Sequence, residues 1–207
     1  MAYDLEEQEQ IDELKAWWKT YGKTIGNALL ALLIVYAGYQ GWHYYQAKQS
    51  VEASTEYQAL QVIDEKDIKE IQAKTAILMD KYSATPYAGR AALLAAKANY
   101  QAKDIKSAKA QLDWAIKNAK ETSVTAIAGL QLANILAEEK DLAGALKLLE
   151  APHDAGFDGL YADLKGDVLV ALGKNAEAKA AYEHALTKLD AQGRYRTLTQ
   201  QKLEALG

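Results

Sequence analysis

The 207-residue chain has no cysteine, two prolines and a single phenylalanine. Without cysteine there is no disulfide scaffold, no thiol nucleophile and no cysteine-ligated zinc or iron–sulfur site. Two prolines leave long stretches free of the residue that interrupts helices. Valine, isoleucine, threonine and turn residues are too sparse for a β-sandwich, which excludes an all-β fold. A strong excess of either charge is lacking as well: 24 Lys and Arg face 28 Asp and Glu, a net charge of −4. Residues 1–23 carry six acids and three lysines, so residues 24–207 sum to only −1. A nearly neutral body has no basic field to gather phosphates, so nucleic acid is not an expected partner.

What the chain has in quantity is alanine, 39 of 207 residues. Alanine loses no side-chain entropy in a helix, and with so little proline the composition predicts an all-α protein. Motifs of chemistry are absent from the sequence: no glycine-rich phosphate loop, no G-x-S-x-G, no H-E-x-x-H and no calcium loop. His43, His153 and His184 share no metal-ligand spacing. No catalytic residue, metal or cofactor is therefore expected, and the chain does not read as an enzyme.

One long hydrophobic run stands out. Between Lys23 and Lys48 lie 24 residues without a formal charge, His43 taken as neutral. A helix over 25–45 measures ~31 Å at ~1.5 Å per residue, one hydrocarbon thickness. Trp17, Trp18 and Tyr21 precede it, and Tyr39, Trp42, Tyr44 and Tyr45 close it, as aromatic rings do at headgroup level. A buried core helix rarely runs this long without a charge. A cleaved signal peptide could use Val35-Tyr36-Ala37, but the long acidic region before the run is unlike a short basic leader. The sequence thus favours an uncleaved anchor in contact with the lipid bilayer. Lys15, Lys19 and Lys23 on one side against Lys48 on the other place the N-terminus in the cytoplasm. The expected organisation is a cytoplasmic segment 1–23, a transmembrane helix 24–46 and an outer domain 47–207, which in a bacterium is periplasmic. Within the first segment Ile11, Leu14, Trp18 and Tyr21 share a helical face, suited either to the membrane interface or to a partner.

After the run the pattern stays helical, interrupted by short polar breaks. Asp67 with Glu70 predicts a capped start, and Thr85-Pro86 predicts another, with threonine as cap and proline in the first turn. Further breaks are expected at Lys103-Asp104, Thr122-Ser123, Lys140-Asp141, Ala151–Gly159 and Gly173-Lys174-Asn175. The segments beginning at Asp104, Asp141 and Lys174 repeat one another. Their shared alanines, Ala108, Ala145 and Ala178, lie 37 and 33 residues apart, bracketing the ~34-residue tetratricopeptide period. The third copy fits best, through Gly166, Leu169, Gly173, Ala178, Tyr182, Ala185 and Leu186. In the first two copies Lys103 and Lys140 stand at the turn glycine. Pro152 takes the place of a late alanine, so the second hairpin should be shortened or kinked near Ala151-Pro152. The fold class expected is a tetratricopeptide-like α-solenoid, with helices at 48–63 and 67–82 as a first pair and 194–206 as a final cap.

Several stretches, in order and spacing, resemble the YfgM family of ancillary SecYEG translocon subunits. They are Leu14-Lys-Ala-Trp17-Trp18 with Tyr21-Gly-Lys23, Gly41-Trp42-His-Tyr-Tyr45, Ser54-Thr-Glu-Tyr57-Gln-Ala, Tyr87-Ala-Gly-Arg90-Ala and Ala162-Asp-Leu-Lys-Gly166-Asp. The resemblance covers essentially the whole chain. It implies a type II inner-membrane protein, not an enzyme, whose periplasmic repeats meet the SecYEG translocon, a PpiD-type periplasmic chaperone and exported client polypeptides. An assembly adaptor of an envelope complex unrelated to secretion is the alternative.

Repeats of this kind offer the first helix of each pair to partners. Aligning the copies puts Arg90, Leu93, Lys97, Tyr100 and Gln101 on that face in copy one. Ile127, Leu130, Asn134 and Glu138 follow in copy two, and Leu160, Asp163 and Asp167 in copy three. The apolar members could instead pack against a neighbouring repeat, and Asp163 and Asp167 could be solvated surface. Leu93 and Lys97 stand where carboxylate-binding repeats carry lysine and asparagine, which argues against capture of a C-terminal carboxylate.

The orientation is checked by a reporter that works only outside the cytoplasm, fused after Gly207. It is expected to be active, and activity of a cytoplasm-only reporter at that position would reverse the topology.

Overall fold

The computed structural model describes residues 2–207, with side chains at 7 and from 9 onward. Met1, the first residue of the expected 1–23 segment, lies outside the described residues. Helix α1 runs Ala2–Gln61, so the expected boundary between 46 and 47 falls inside it. The chain divides into two compact units, Met1–Lys48 and Gln49–Gly207. In the first unit α1 contains a stretch apolar and long enough to cross a membrane, none of it buried.

The second unit takes the end of α1 and continues with α2 (Ile68–Lys81), α3 (Pro86–Gln101), α4 (Ile105–Asn118), α5 (Thr122–Glu138), α6 (Leu142–Leu149), α7 (Asp158–Ala171), α8 (Asn175–Lys188) and α9 (Arg194–Ala205). Among the described residues there is no strand. From α2 onward each helix packs on the next, and α3 also touches α5 as α5 touches α7. That is the contact pattern of stacked hairpins.

Three of the turns are the same structure. Lys103, Lys140 and Gly173 all have positive φ, at 65°, 67° and 75°. The N–H of each bonds three residues back, to Tyr100, Ala137 and Val170, and the next N–H reaches five back, to Asn99, Leu136 and Leu169. This is a Schellman ending, and it satisfies two carbonyls that the finished helix would leave open. The residue after it, Asp104, Asp141 or Lys174, already caps the next helix. Two residues thus end one helix and begin another, which forces the two to run antiparallel. The aspartates accept from the N–H of Ser107 at 3.1 Å and of Gly144 at 2.9 Å; Lys174 caps with no side-chain bond.

The other boundaries differ in detail from the pattern read in the sequence. Asp67 caps α2 as expected, accepting from the Glu70 N–H at 3.1 Å. Thr85 stands at the N-cap before Pro86 as expected, but without a side-chain bond to the first turn; its hydroxyl donates backward to the Tyr82 carbonyl at 2.8 Å. The break expected at Thr122-Ser123 sits earlier, at 119–121, and Thr122 already begins α5. Glu121 stands at the cap, and the Thr122 hydroxyl donates to Asp154 at 2.6 Å. The second hairpin is short, as Pro152 requires: α6 has 8 residues where α4 and α8 have 14. Proline disfavours helix in the residue before it and lacks the N–H to continue one. The loop is also tighter than 151–159, because a 3₁₀ turn over Ala155–Phe157 leads directly into α7.

The core is a row of small clusters, each shared by successive helices. Ala53 and Leu60 of α1 meet Ile71 and Leu78 of α2 and Ala91, Ala95 and Ala98 of α3. The adjacent face of α3, Ala92 and Ala96, joins Leu112 of α4 and Leu132 and Ile135 of α5. Ala126 and Ala133 of α5 then pack with Leu149, Tyr161 and Val168. Helices α3 and α5 are therefore apolar on two faces, and alanine at the contacts lets them be squeezed between neighbours. Where the helices come closest glycine is required: a Cβ on Gly166 would fall on the Tyr182 ring, which packs across it.

Because a lysine in the left-handed region costs energy that glycine does not pay, Lys103→Gly and Lys140→Gly should each stabilise the chain by about 0.5–1 kcal/mol. Gly173→Ala should destabilise it by about 1 kcal/mol. Urea unfolding of the full chain in detergent, followed by far-ultraviolet circular dichroism, checks both signs.

Candidate protein-binding groove

Helices α3 and α5 are first members of successive hairpins, and α3 packs beside the last turns of α1. Their uncovered faces enclose a groove of about 500 Å³. Arg90, Leu93, Lys97 and Gln101 line it from α3, Ile127 and Gln131 from α5, Tyr57 and Gln61 from α1, and Glu65 from the following turn. A smaller hollow of about 200 Å³ adjoins it, bounded by Lys97, Tyr100, Gln131 and Asn134 over a floor of Leu112 and Ile135.

The charges around the groove answer one another. Arg90 donates to both oxygens of Glu121, each at 2.7 Å, and lies 5.9 Å from the centre of the Tyr87 ring. The bidentate bond holds the Glu121 carboxyl below its ordinary pKa and raises that of Arg90. Lys97 pairs with Glu65 at 2.9 Å, both well exposed, and such a pair opens at little cost. Tyr100 donates to Glu138 at 2.5 Å, and that bond raises the pKa of its hydroxyl. Asn134 donates to the same carboxylate at 3.1 Å. With its cations and anions matched internally, the groove exerts little net pull on a charged ligand. What remains is an apolar floor under the carboxamides of Gln61, Gln101 and Gln131, which can both donate to and accept from a peptide backbone.

The residues singled out in the sequence do not all gather in one place. Arg90, Leu93, Lys97, Gln101 and Ile127 share the groove, and Tyr100, Asn134 and Glu138 gather at its end. Leu130 packs toward the cluster of Tyr161 and Leu149. Asp163 and Asp167 do not join the groove. Lys202 of α9 bridges them at 2.8 and 2.7 Å, Thr199 donates to Asp163 at 2.7 Å, and Tyr182 donates to Asp167 at 2.8 Å. Burial works against the Lys202 ammonium, yet its bonds to the two carboxylates raise its pKa overall. Burial and the bond to Asp167 raise that of Tyr182. The acidic spot is thus a clasp that holds the cap helix on the last hairpin. Sequence reasoning missed Gln131, although it shares a face with Ile127 and Asn134. It also missed Tyr57, Gln61 and Glu65, which precede the first recognisable repeat. Of the histidines, His153 stacks on Tyr161 with ring centres 3.7 Å apart and packs the loop before α7.

Stacked hairpins that leave an open groove define a helical-repeat domain of the tetratricopeptide kind. The family described as tetratricopeptide repeat-like domain matches residues 15–207. The chain is 35% identical, over the full length of both proteins, to an ancillary SecYEG translocon subunit of Neisseria gonorrhoeae. A protein of the same name in Haemophilus influenzae is 33% identical over 89% of this chain and 91% of its own length. Another in Escherichia coli is 25% identical over 86% of this chain and 85% of its own. No solved structure matches the chain. The chain belongs to this tetratricopeptide repeat-like family, alongside the proteins named ancillary SecYEG translocon subunit.

The Arg90–Glu121 bond ties α3 to the start of α5, so its pH dependence is measurable. A depressed carboxyl pKa adds stability that is complete above the ordinary value of 4.5 and is lost as pH falls through the folded value below it. Denaturant midpoints of the wild-type chain and Glu121→Gln should therefore differ most near pH 7 and converge toward pH 3.

Proposed function

We propose that the protein is a membrane-anchored, non-enzymatic interaction subunit associated with the SecYEG translocon. In this reading residues 24–46 span the inner membrane, 1–23 face the cytoplasm, and 47–207 form a periplasmic repeat domain. The repeats link the translocon to a PpiD-type chaperone and receive exported clients as they emerge. The observation that carries the reading is the end-to-end match to a protein named as a translocon subunit, at 35% identity. The groove supports it. An apolar floor edged by carboxamides, with its formal charges already paired, suits segments of varied sequence better than one defined ligand. Loosely tethered rim pairs such as Lys97–Glu65 can open to admit them.

Tethering gives weak contacts their effect. A domain fixed to the membrane beside its partner meets it at a high effective concentration, and a modest groove affinity then suffices.

Crosslinking in intact cells followed by affinity purification of the full chain is expected to recover translocon subunits and a PpiD-type chaperone. Recovery of an envelope complex without any translocon subunit would contradict the assignment.

A further inference from the structure

The membrane helix carries a polar face where hydrocarbon would surround it. Tyr36 lies 11 residues beyond Ile25 and nine before Tyr45, so its ring attaches ~16 Å into the span, near the middle of the bilayer. The Gln40 amide donates to the Tyr36 hydroxyl at 3.2 Å. One turn further out, Tyr39 and His43 meet edge to face, with ring centres 4.4 Å apart. At ~100° per residue these four side chains fall within an arc of about 100°. Ile34, Gly38 and Gly41 occupy the opposite side.

The single bond between Tyr36 and Gln40 leaves much of their capacity open. The tyrosine O–H proton and the glutamine carbonyl have no other partner among the described residues, and Tyr36 and Tyr39 are 60% and 58% exposed. Hydrocarbon offers neither donor nor acceptor, so polar groups at this depth are met by another helix. Two copies of this chain would fit poorly there. Parallel spans that self-associate approach through small residues, whereas this face meets its twin with tyrosine and histidine rings, and the glycines point away.

We infer that the face of Tyr36, Tyr39, Gln40 and His43 docks on a transmembrane helix of a translocon subunit that offers an acceptor to Tyr36 and a donor to Gln40. The inference rests on the functional reading above and adds the surface by which the anchor is held. The anchor then fixes the rotation of the protein in the complex as well as its depth.

The test uses the full chain in native membranes. A photoreactive amino acid at Leu32 or Tyr39, on the polar side, is expected to crosslink to a translocon membrane subunit. At Leu30 or Ile34, on the other side, it should yield at least five-fold less. In parallel, Tyr36→Phe with Gln40→Leu makes the span more apolar, so insertion is preserved. This double variant should retain at least five-fold less translocon in mild detergent than the parent chain. Equal crosslinking from both faces, a product between two copies of this chain, adducts to lipid alone, or unchanged retention each overturns the inference. These outcomes leave the functional reading intact as long as the parent chain still retrieves the translocon. If the parent chain retrieves none, the functional reading fails and this inference with it.

Discussion

The repeat domain depends on one local constraint, the two-residue turn in which a left-handed residue ends a helix and its neighbour starts the next. The six-to-one and five-to-two hydrogen bonds at Lys103, Lys140 and Gly173 close off the finished helix. The chain then reverses with no slack, and the apolar sides of the two helices have no surface to bury except each other and the next hairpin. Alanine makes that burial close. Ala92, Ala96, Ala108, Ala115 and Ala128 are almost fully buried around Leu112, and longer side chains at these positions would hold the helices apart. The groove is what this packing leaves uncovered on α3 and α5.

Much of the fold was legible because it is set by local chemistry. Period, turn positions, the aspartate caps and the short second hairpin all follow from residue types at fixed offsets. Lys103 and Lys140 teach the converse. Lysine is an unfavourable residue for positive φ, yet both adopt it, because the packing of the hairpins on either side fixes the turn. Thr85 stands at the N-cap before Pro86 as read, but its side chain is used elsewhere. Its hydroxyl bonds the Tyr82 carbonyl instead of the first turn of α3, and sequence spacing does not reveal such competitors.

The site was legible in part. Repeat alignment placed Arg90, Leu93, Lys97, Gln101 and Ile127 on one face, and they do share a groove. The same alignment carried Asp163 and Asp167 into the list, because it knows the register of a helix but not what covers it. Lys202 and Thr199 come from 35 to 39 residues further on, a separation at which helical periodicity is silent. Tyr57 and Gln61 were overlooked because they lie in the first pair of helices, before the three copies that the repeat alignment covers. The last turns of α1 serve the groove as well.

In the function proposed, this groove, and not the outer surface of the repeats, meets the partners. Photocrosslinking from Gln101 and Gln131, compared with Lys106 and Lys147 on α4 and α6, tests it most directly. Translocon-associated proteins or exported chains, identified by mass spectrometry, are expected to be captured from Gln101 and Gln131. Equal or greater capture from Lys106 and Lys147 would contradict it.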